Sequence, residues 1–367
     1  MNEVLGNVGR TVIYTDPVDA KPVIQSESLR HLARDMEAGK VELLVIVGGN
    51  PAFNAPADVE FTQHLAKVGL RVHLSLYHDE TSALCHWHIP EAHYLEAWSD
   101  ARAYDGTVSI VQPLIAPLYG GKSAHEVLAA FTGQPDQSGY DLVRAHWRAK
   151  HAAADFEQAW RRWLHDGWIP GTALPQISVT AKMPALPPPE AVGPLELVFR
   201  PDPSVYDGRF ANNGWLQEVP RPLTKLTWDN AALISPSFAE QRKLKNGDVV
   251  ELEAAGHKAR APVWIMPGHP ESCVTVTLGY GRRRGGRVAS GAGFDAYALR
   301  TSSAQWTVPG LKLTPLNEQY PLIATHGHHG MEGRQPVIAA SLHEFTADPD
   351  FVHKRHHEPG PEMTLYT

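Results

Sequence analysis

Val41-Glu42-Leu43-Leu44-Val45-Ile46-Val47-Gly48-Gly49-Asn50-Pro51 is the stretch on which the fold turns. Its apolar run is strand length, far short of the ~20 residues that a membrane-spanning helix needs. A continuous apolar run, rather than an alternating one, suits a strand buried on both faces, as in a parallel sheet. The paired glycines and Asn-Pro end the strand in a turn and open the next element, which is how a β–α unit begins. Working outward, residues 24–39 carry Leu29, Leu32, Ala33 and Met36 at helical spacing, with Gly39 as the stop. Residues 57–68 repeat apolar positions at Val59, Phe61, Leu65, Ala66 and Val68 and predict a helix. Residues 71–76 predict the next strand, completing a β–α–β unit. Its ligand side is then the pair of loops after the strands, Gly48–Asn54 and Tyr77–Thr81.

Beyond that unit, Asp79-Glu80-Thr81 leads into a short helix and the segment Cys85–Pro90. Residues 93–120, with Asp105-Gly106 and several prolines, read as irregular, and helical patterns return at 122–132 and 141–165. Residues 183–194 are a proline-rich linker, because proline fixes φ and lacks a donor. The character then changes to short strands at 195–200, 231–234, 248–254, 258–266 and 272–278. Asn246-Gly247-Asp248, Gly256 and Pro267-Gly268 punctuate them, a pattern of barrels and sandwiches. The expected fold class is α/β. A partly parallel open sheet with flanking helices occupies residues 1–182, the linker 183–194, a β-barrel 195–340 and an extended polar tail 341–367.

Composition excludes several functions. The chain has 367 residues, enough for two cores, and 43% hydrophobic with 20% charged residues is globular rather than disordered. A net charge of −7 gives no basis for a nucleic-acid surface. Arg282, Arg283, Arg284 and Arg287 form the one dense basic run, read either as a phosphate site or as a solvated loop. Two cysteines, Cys85 and Cys273, define no disulfide framework and are too few for a cysteine-ligated cluster. No Walker loop, helical His-Glu-x-x-His or spaced Ser-His-Asp set appears. No apolar run is long enough to span a membrane, and no signal segment opens the chain.

Several ordered motifs carry a resemblance. Val45-Ile46-Val47-Gly48-Gly49-Asn50-Pro51 resembles the apolar strand ending in Gly-x-Asn-Pro of the molybdopterin oxidoreductase (dimethyl-sulfoxide-reductase) superfamily. Residues 80–90 resemble its Glu-Thr-x-x-x-Ala-Asp-Val-Val-Leu-Pro, and Leu95-Glu96 and Asp105-Gly106-Thr107-Val108 fall where it has Leu-Glu and Glu-Gly-Arg-Val. Trp228-Asp229-Asn230 through Ser235-Pro236, then Leu244 to Val250, is similar to its C-terminal double-psi barrel, which binds the pterin dinucleotide. Asn50–Pro56, His78–Thr81, Cys85–Pro90 and Trp98–Leu118 are closest to one branch, the large iron–sulfur subunit of alternative complex III, a quinol-oxidising membrane assembly.

That resemblance implies a non-catalytic scaffold, in a branch that has lost the molybdenum cofactor, holding a cluster-bearing domain in electron-transfer range. The chain is then expected to be a fragment, lacking the N-terminal part of the large domain and the C-terminal cluster-binding half. Iron–sulfur clusters would sit in that half or in a partner, and the partners would be cluster-bearing and membrane-integral subunits. The implied location is the periplasmic face of the bacterial cytoplasmic membrane, held peripherally. The alternatives are a fragment of a true molybdopterin-dependent oxidoreductase that keeps molybdopterin guanine dinucleotide, and a free-standing histidine-based metal module.

By resemblance, nucleotide contacts fall on Gly48, Gly49, Asn50, Asn54, Asp79, Glu80, Thr81, Asn213 and Gly279, as vestigial positions where the cofactor is lost. Glycines let a backbone approach phosphate and an Asn amide can pair with guanine, whereas the plainer reading is a strand-to-helix turn kept for geometry. Asp79 can equally cap a helix whose dipole favours Glu80. Asn213 is equally a packing and turn residue. The metal alternative draws on Cys85, His86, His88 and His93, although strand alternation turns 86 and 88 away from 85. A second set, His326, His328, His329, His353, His356 and His357, can also bind metal and otherwise reads as linker or docking surface.

Overall fold

A computed structural model describes residues 1–151, 154–182, 193–325 and 338–355. Residues 1–323 form one compact unit, and residues 324–367 form a second, smaller one. In the first, helix α1 (Gln25–Glu37) precedes strand β1 (Leu43–Val47), and Gly39 closes the helix at a φ of 68°. Strand β2 (Leu70–Ser75) pairs in parallel with β1 and with β3 (Trp87–Pro90), as the continuous apolar pattern requires. Between β1 and β2 lie the short helices α2 (Pro51–Asn54) and α3 (Phe61–Leu65). The single helix expected over 57–68 is instead a 3₁₀ turn, Ala57–Val59, and α3, broken where Glu60 takes a left-handed φ of 49°. Val59, Phe61, Leu65 and Val68 are nonetheless buried with Ala33 and Met36 of α1.

Residues 93–120 are not irregular throughout. Strands β4 (Ser99–Arg102) and β5 (Val108–Val111) form an antiparallel hairpin. Its turn is set by Asp105, whose carboxylate accepts from Thr107 N (2.8 Å), and by Gly106 at a φ of 90°. Helices α4 (Ala124–Phe131), α5 (Gly139–Lys150) and α6 (Phe156–Asp166) follow, then β6 (Trp168–Ile169), which pairs with β5. Ser123 and Ser138 cap α4 and α5, with Glu126 completing a capping box on α4. Trp147, Trp160, Trp163 and Phe156 pack with Val108 and Ile110 as a separate aromatic core.

Most of the linker, residues 183–192, lies outside the described residues. The second half of the unit is a seven-stranded mixed sheet. Its strands are β7 (Glu196–Pro201), β8 (Ala232–Ile234), β9 (Asp248–Ala254), β10 (His257–Ile265), β11 (Cys273–Leu278), β12 (Thr307–Pro309) and β13 (Lys312–Gln319). The order β12-β7-β11-β8-β10-β9-β13 curls around one core. Alternate residues of β7, β9 and β11, such as Leu197, Leu252 and Val276, point into it. The two end strands are not paired to each other, so the sheet is curled but open. Strands β12 and β13 escaped the sequence reading because Pro309 and Pro315 interrupt them. Around Pro315 the register shifts before pairing resumes at Glu318, a bulge that accommodates the missing donor.

Helix α7 (Gly214–Glu218) and helix α8 (Pro236–Arg242) start at the side-chain caps Asn213 and Ser235. In the smaller unit, the segment expected to run extended carries α9 (Leu342–Ala347) and α10 (Phe351–Arg355). Ser341 and Glu344 form a capping box that satisfies the first amides of α9, a Ser-x-x-Glu signal masked by the polar composition. The aromatic core supplies a test of the packing: Trp160, 2% exposed, should cost about 3–5 kcal/mol when replaced by Ala. Urea unfolding followed by tryptophan fluorescence measures it, and a change below 1 kcal/mol would mean that α6 does not depend on this core.

Candidate functional site

The two expected ligand loops do meet, joined by Asn50 with Glu80 and Thr81. Gly48 and Gly49 both take positive φ, 63° and 68°, which swings the chain from β1 into α2. Asn50 then stands at the helix start with its amide turned toward the neighbouring strand end. Its Nδ2 donates to Glu80 Oε2 (2.7 Å), and its Oδ1 accepts from Thr81 Oγ1 (2.7 Å) and Thr81 N (3.2 Å). Thr81 Oγ1 in turn accepts from Ala52 N (3.0 Å). Asp79 does cap the turn that follows, accepting from Ser82 N (2.9 Å).

Glu80 reaches across to the loop after β11, 202 residues away. Arg282 donates to it from Nε (3.1 Å to each oxygen) and Nη2 (2.8 Å), and Arg283 N and Arg284 N donate at 2.8 and 2.9 Å. Arg282 is buried at 8% side-chain exposure, and Glu80 is nearly so at 11%. Arg282 also donates from Nη1 to Gly208 O (2.8 Å), and its guanidinium lies over the Phe53 ring, 4.9 Å from the centroid. Phe53, from α2, is itself inserted into the core of the curled sheet. The basic run is thus split: Arg282 is an internal residue, while Arg283, Arg284 and Arg287 are exposed.

The other expected contacts fall around this joint. Gly279, at a φ of 96°, lets the β11 end approach the 206–208 loop. A Cβ there would lie 2.6 Å from Gly208 N. Asn213 is not in the site: exposed, it accepts from Leu216 N (3.2 Å) and caps α7. Asn54 lines a cleft of about 250 Å³ with Gly48, Gly49 and Tyr77, and its side chain makes no hydrogen bond among the described residues. His73, which the sequence reading passed over, is fully buried beneath this turn. Its Nε2 faces Gly49 O (3.1 Å), its Nδ1 faces Ser82 Oγ (2.8 Å), and burial lowers its pKa despite Asp79 nearby. A histidine between Val72 and Leu74, in the buried stretch Val72–Ser75 of β2, was the available signal.

Burial alone would push the Glu80 carboxyl up, but hydrogen bonds from Arg282, Arg284 and Asn50 outweigh it and hold its pKa at about 2. Asp295, beside Arg283, goes the other way: burial raises it to about 6 against hydrogen bonds from the Tyr297 and Ala298 amides.

The fit to a pterin dinucleotide is poor. The amide, hydroxyl and carboxylate expected to read it are bonded to one another, and Asp79, Glu91 and Asp207 place further carboxyl groups along the cleft. Its two arginines are already bonded, Arg282 to Glu80 and Arg209 to Asp207 (2.7 Å), so among the described residues that line the cleft no unpaired cation faces a pyrophosphate. The cleft is also smaller than the ~300–1,000 Å³ usual for ligand pockets. A larger groove of about 580 Å³ on the outer face of the curled sheet is mainly apolar. Its buried polar groups are already bonded, Arg221 to Asp202, Asp229 to Tyr320 and Asn230 to backbone.

Metal ligands do not converge either. Among the described residues, no group of three or more His, Cys, Asp or Glu side chains is placed to hold an ion. His86 bonds Arg71, His88 bonds Ser75, and His93 Nδ1 accepts from Leu95 N (3.3 Å). Of the second histidine set only His353 is described, in α10; the others lie outside the described residues.

With this geometry in place, the chain's relatives can be read. It is 35% identical over 78 residues to the thiosulfate reductase molybdopterin-containing subunit of Salmonella typhimurium, covering 21% of this chain and 10% of that protein. It is 30% identical over 181 residues to the menaquinone reductase molybdopterin-binding-like subunit of Nitratidesulfovibrio vulgaris, covering 43% and 26%. No family model matches. Acetylene hydratase from Pelobacter acetylenicus shares the fold, with a TM-score of 0.56 at 14% identity over 79% of this chain and 46% of that one. The chain is a distant relative of molybdopterin-type reductase subunits, which supports the molybdopterin oxidoreductase superfamily. Its matches span a small part of either curated relative.

Removing the guanidinium tests the joint. Arg282→Ala leaves a buried carboxylate without its counter-charge and should cost about 3–5 kcal/mol by denaturant unfolding. The pH profile gives a second reading. Glu80 is depressed in the folded protein, so its contribution is present above about 4.5 and fades as pH falls toward 2. Asp295 is raised, so its contribution is present below about 3.8 and is lost as pH rises through 6. Glu80→Gln should flatten the acid limb and Asp295→Asn the limb near pH 6; unchanged profiles would contradict both assignments.

Proposed function

We propose that the chain is a non-catalytic, molybdopterin-oxidoreductase-like scaffold portion of a membrane-associated, quinol-oxidising electron-transfer complex of the alternative complex III type. The observation that supports this reading is that the residues expected to cradle a nucleotide form a joint. Asn50, Glu80, Thr81 and Arg282 hold the two halves of the unit together instead of presenting donors to a cofactor. We read the curled sheet as a double-psi-type barrel that has kept its packing role.

The menaquinone reductase relative supports partners within a membrane complex. Among the described residues no helix is long and apolar enough to cross a membrane, so such a partner would supply the membrane-spanning part. Exposed Leu114 (78%), Leu118 (69%) and Tyr119 (85%) on one loop, with Trp215 (82%) elsewhere, offer apolar surface to a neighbour. In this reading a cluster-bearing domain or subunit packs against the chain at the periplasmic face of the bacterial cytoplasmic membrane. The open cleft at Gly48-Gly49 and the unbonded Asn54 favour a second reading, in which part of the pterin nucleotide is retained.

Elemental analysis for molybdenum, tungsten, zinc and iron, with a fluorescence assay for oxidised pterin, separates the readings. The expected result is none at stoichiometric level, together with co-purification of an iron–sulfur-bearing partner from a native membrane extract. Stoichiometric pterin or molybdenum would overturn the scaffold reading in favour of the second, and zinc alone would favour a metal module.

A further inference from the structure

We infer that the loop from Gly279 to Gly286 is an anion-binding site that the chain fills with its own Glu80. A small carboxylate, such as acetate, takes that place when the side chain is removed. Two successive backbone N–H groups, of Arg283 and Arg284, converge on one oxygen, Glu80 Oε1, at 2.8 and 2.9 Å. Successive amides aimed at one point form a nest, a concavity that binds anions in many proteins. The Arg282 guanidinium adds two donors to the same carboxylate in the side-on geometry that arginine gives oxyanions, and Asn50 adds a fifth.

The nest does not depend on Glu80 for its shape. Gly281 N donates to Ala292 O (2.8 Å), Gly291 N to Arg282 O (3.0 Å), Gly285 N to Ser290 Oγ (3.2 Å) and Val288 N to Asn212 Oδ1 (3.1 Å). Packing adds to these bonds: a Cβ at Gly285 would lie 2.6 Å from that of Ala289. Arg282 is fixed from outside the nest by Gly208 O and by the Phe53 ring. A loop held this way stays aimed at the same point after the carboxylate has gone. Arg283, Arg284 and Arg287 are exposed and form no ion pair among the described residues, so their field draws anions toward it. Asp295, near Arg283, partly offsets that field.

The inference stands whether or not a pterin is bound, and it is read by a separate measurement. Glu80→Ala and the wild-type protein are melted in sodium chloride and in sodium acetate at matched ionic strength. Acetate should raise the melting temperature of the variant saturably, by about 2 °C or more, and leave the wild type unmoved because its nest is filled. The double variant Glu80→Ala/Arg282→Ala should show no such rise. If Glu80→Ala does not fold in chloride, recovery on refolding into acetate gives the same reading. Equal responses of wild type and variant, rescue that survives the loss of Arg282, or failure to fold in both salts would each overturn the inference.

Discussion

The carboxylate of Glu80 is the constraint on which the rest of the first unit depends. It joins a strand-end loop of the parallel sheet to the loop leaving β11 of the curled sheet, and both partners are nearly out of water. A buried ion pair is costly to desolvate and is stable only when its remaining valences are filled. Here they are, by the Arg283 and Arg284 amides, the Asn50 amide and Gly208 O. Below the pair, Phe53 passes from one half into the core of the other, so hydrogen bonding and apolar burial fix the same register. Asp58 adds a peripheral tie through Ser302 N (2.7 Å).

This arrangement separates fold from site. The chain shares its fold with acetylene hydratase at low identity, while the side chains expected to contact a nucleotide are bonded to one another. A fold does not imply a site, because packing and backbone geometry, rather than ligand contacts, hold it. Gly48, Gly49 and Gly279 illustrate this. Each is explained by a left-handed turn or a close backbone approach, with no ligand required. The arrangement is a mechanical link between two sheets.

Burial pushes both carboxyl groups beside the arginine loop upward, yet their net shifts are opposite. Glu80 has donors enough to stay ionised, whereas Asp295 has only backbone amides and a more distant guanidinium, so its charge is disfavoured. Residues of the same charge class, close in space, thus differ because of the number and kind of donors each meets. His73 follows the same logic from the basic side: burial lowers its pKa, and Asp79 and Gly49 O offset that only in part.

The sequence by itself determined the elements that short-range patterns encode. The apolar run 43–47 ending in Gly-Gly-Asn-Pro, the helix stopped by Gly39 and the alternating strands β9 and β11 were all legible, since burial has the period of the backbone. It also placed Gly48–Asn54 beside Asp79–Thr81. Elements carrying proline or a polar disguise were less legible, as β12, β13 and α9 show, because a bulge or a capping box can outweigh composition. Only the tertiary structure decided what the site residues do. Nothing in the local sequence of Glu80 or of Arg282 says that they will meet across 202 residues, or that one arginine of four will be buried while the others face solvent. Which donors a side chain meets is set by how distant segments pack, and that pairing turns an expected nucleotide cradle into a closed joint.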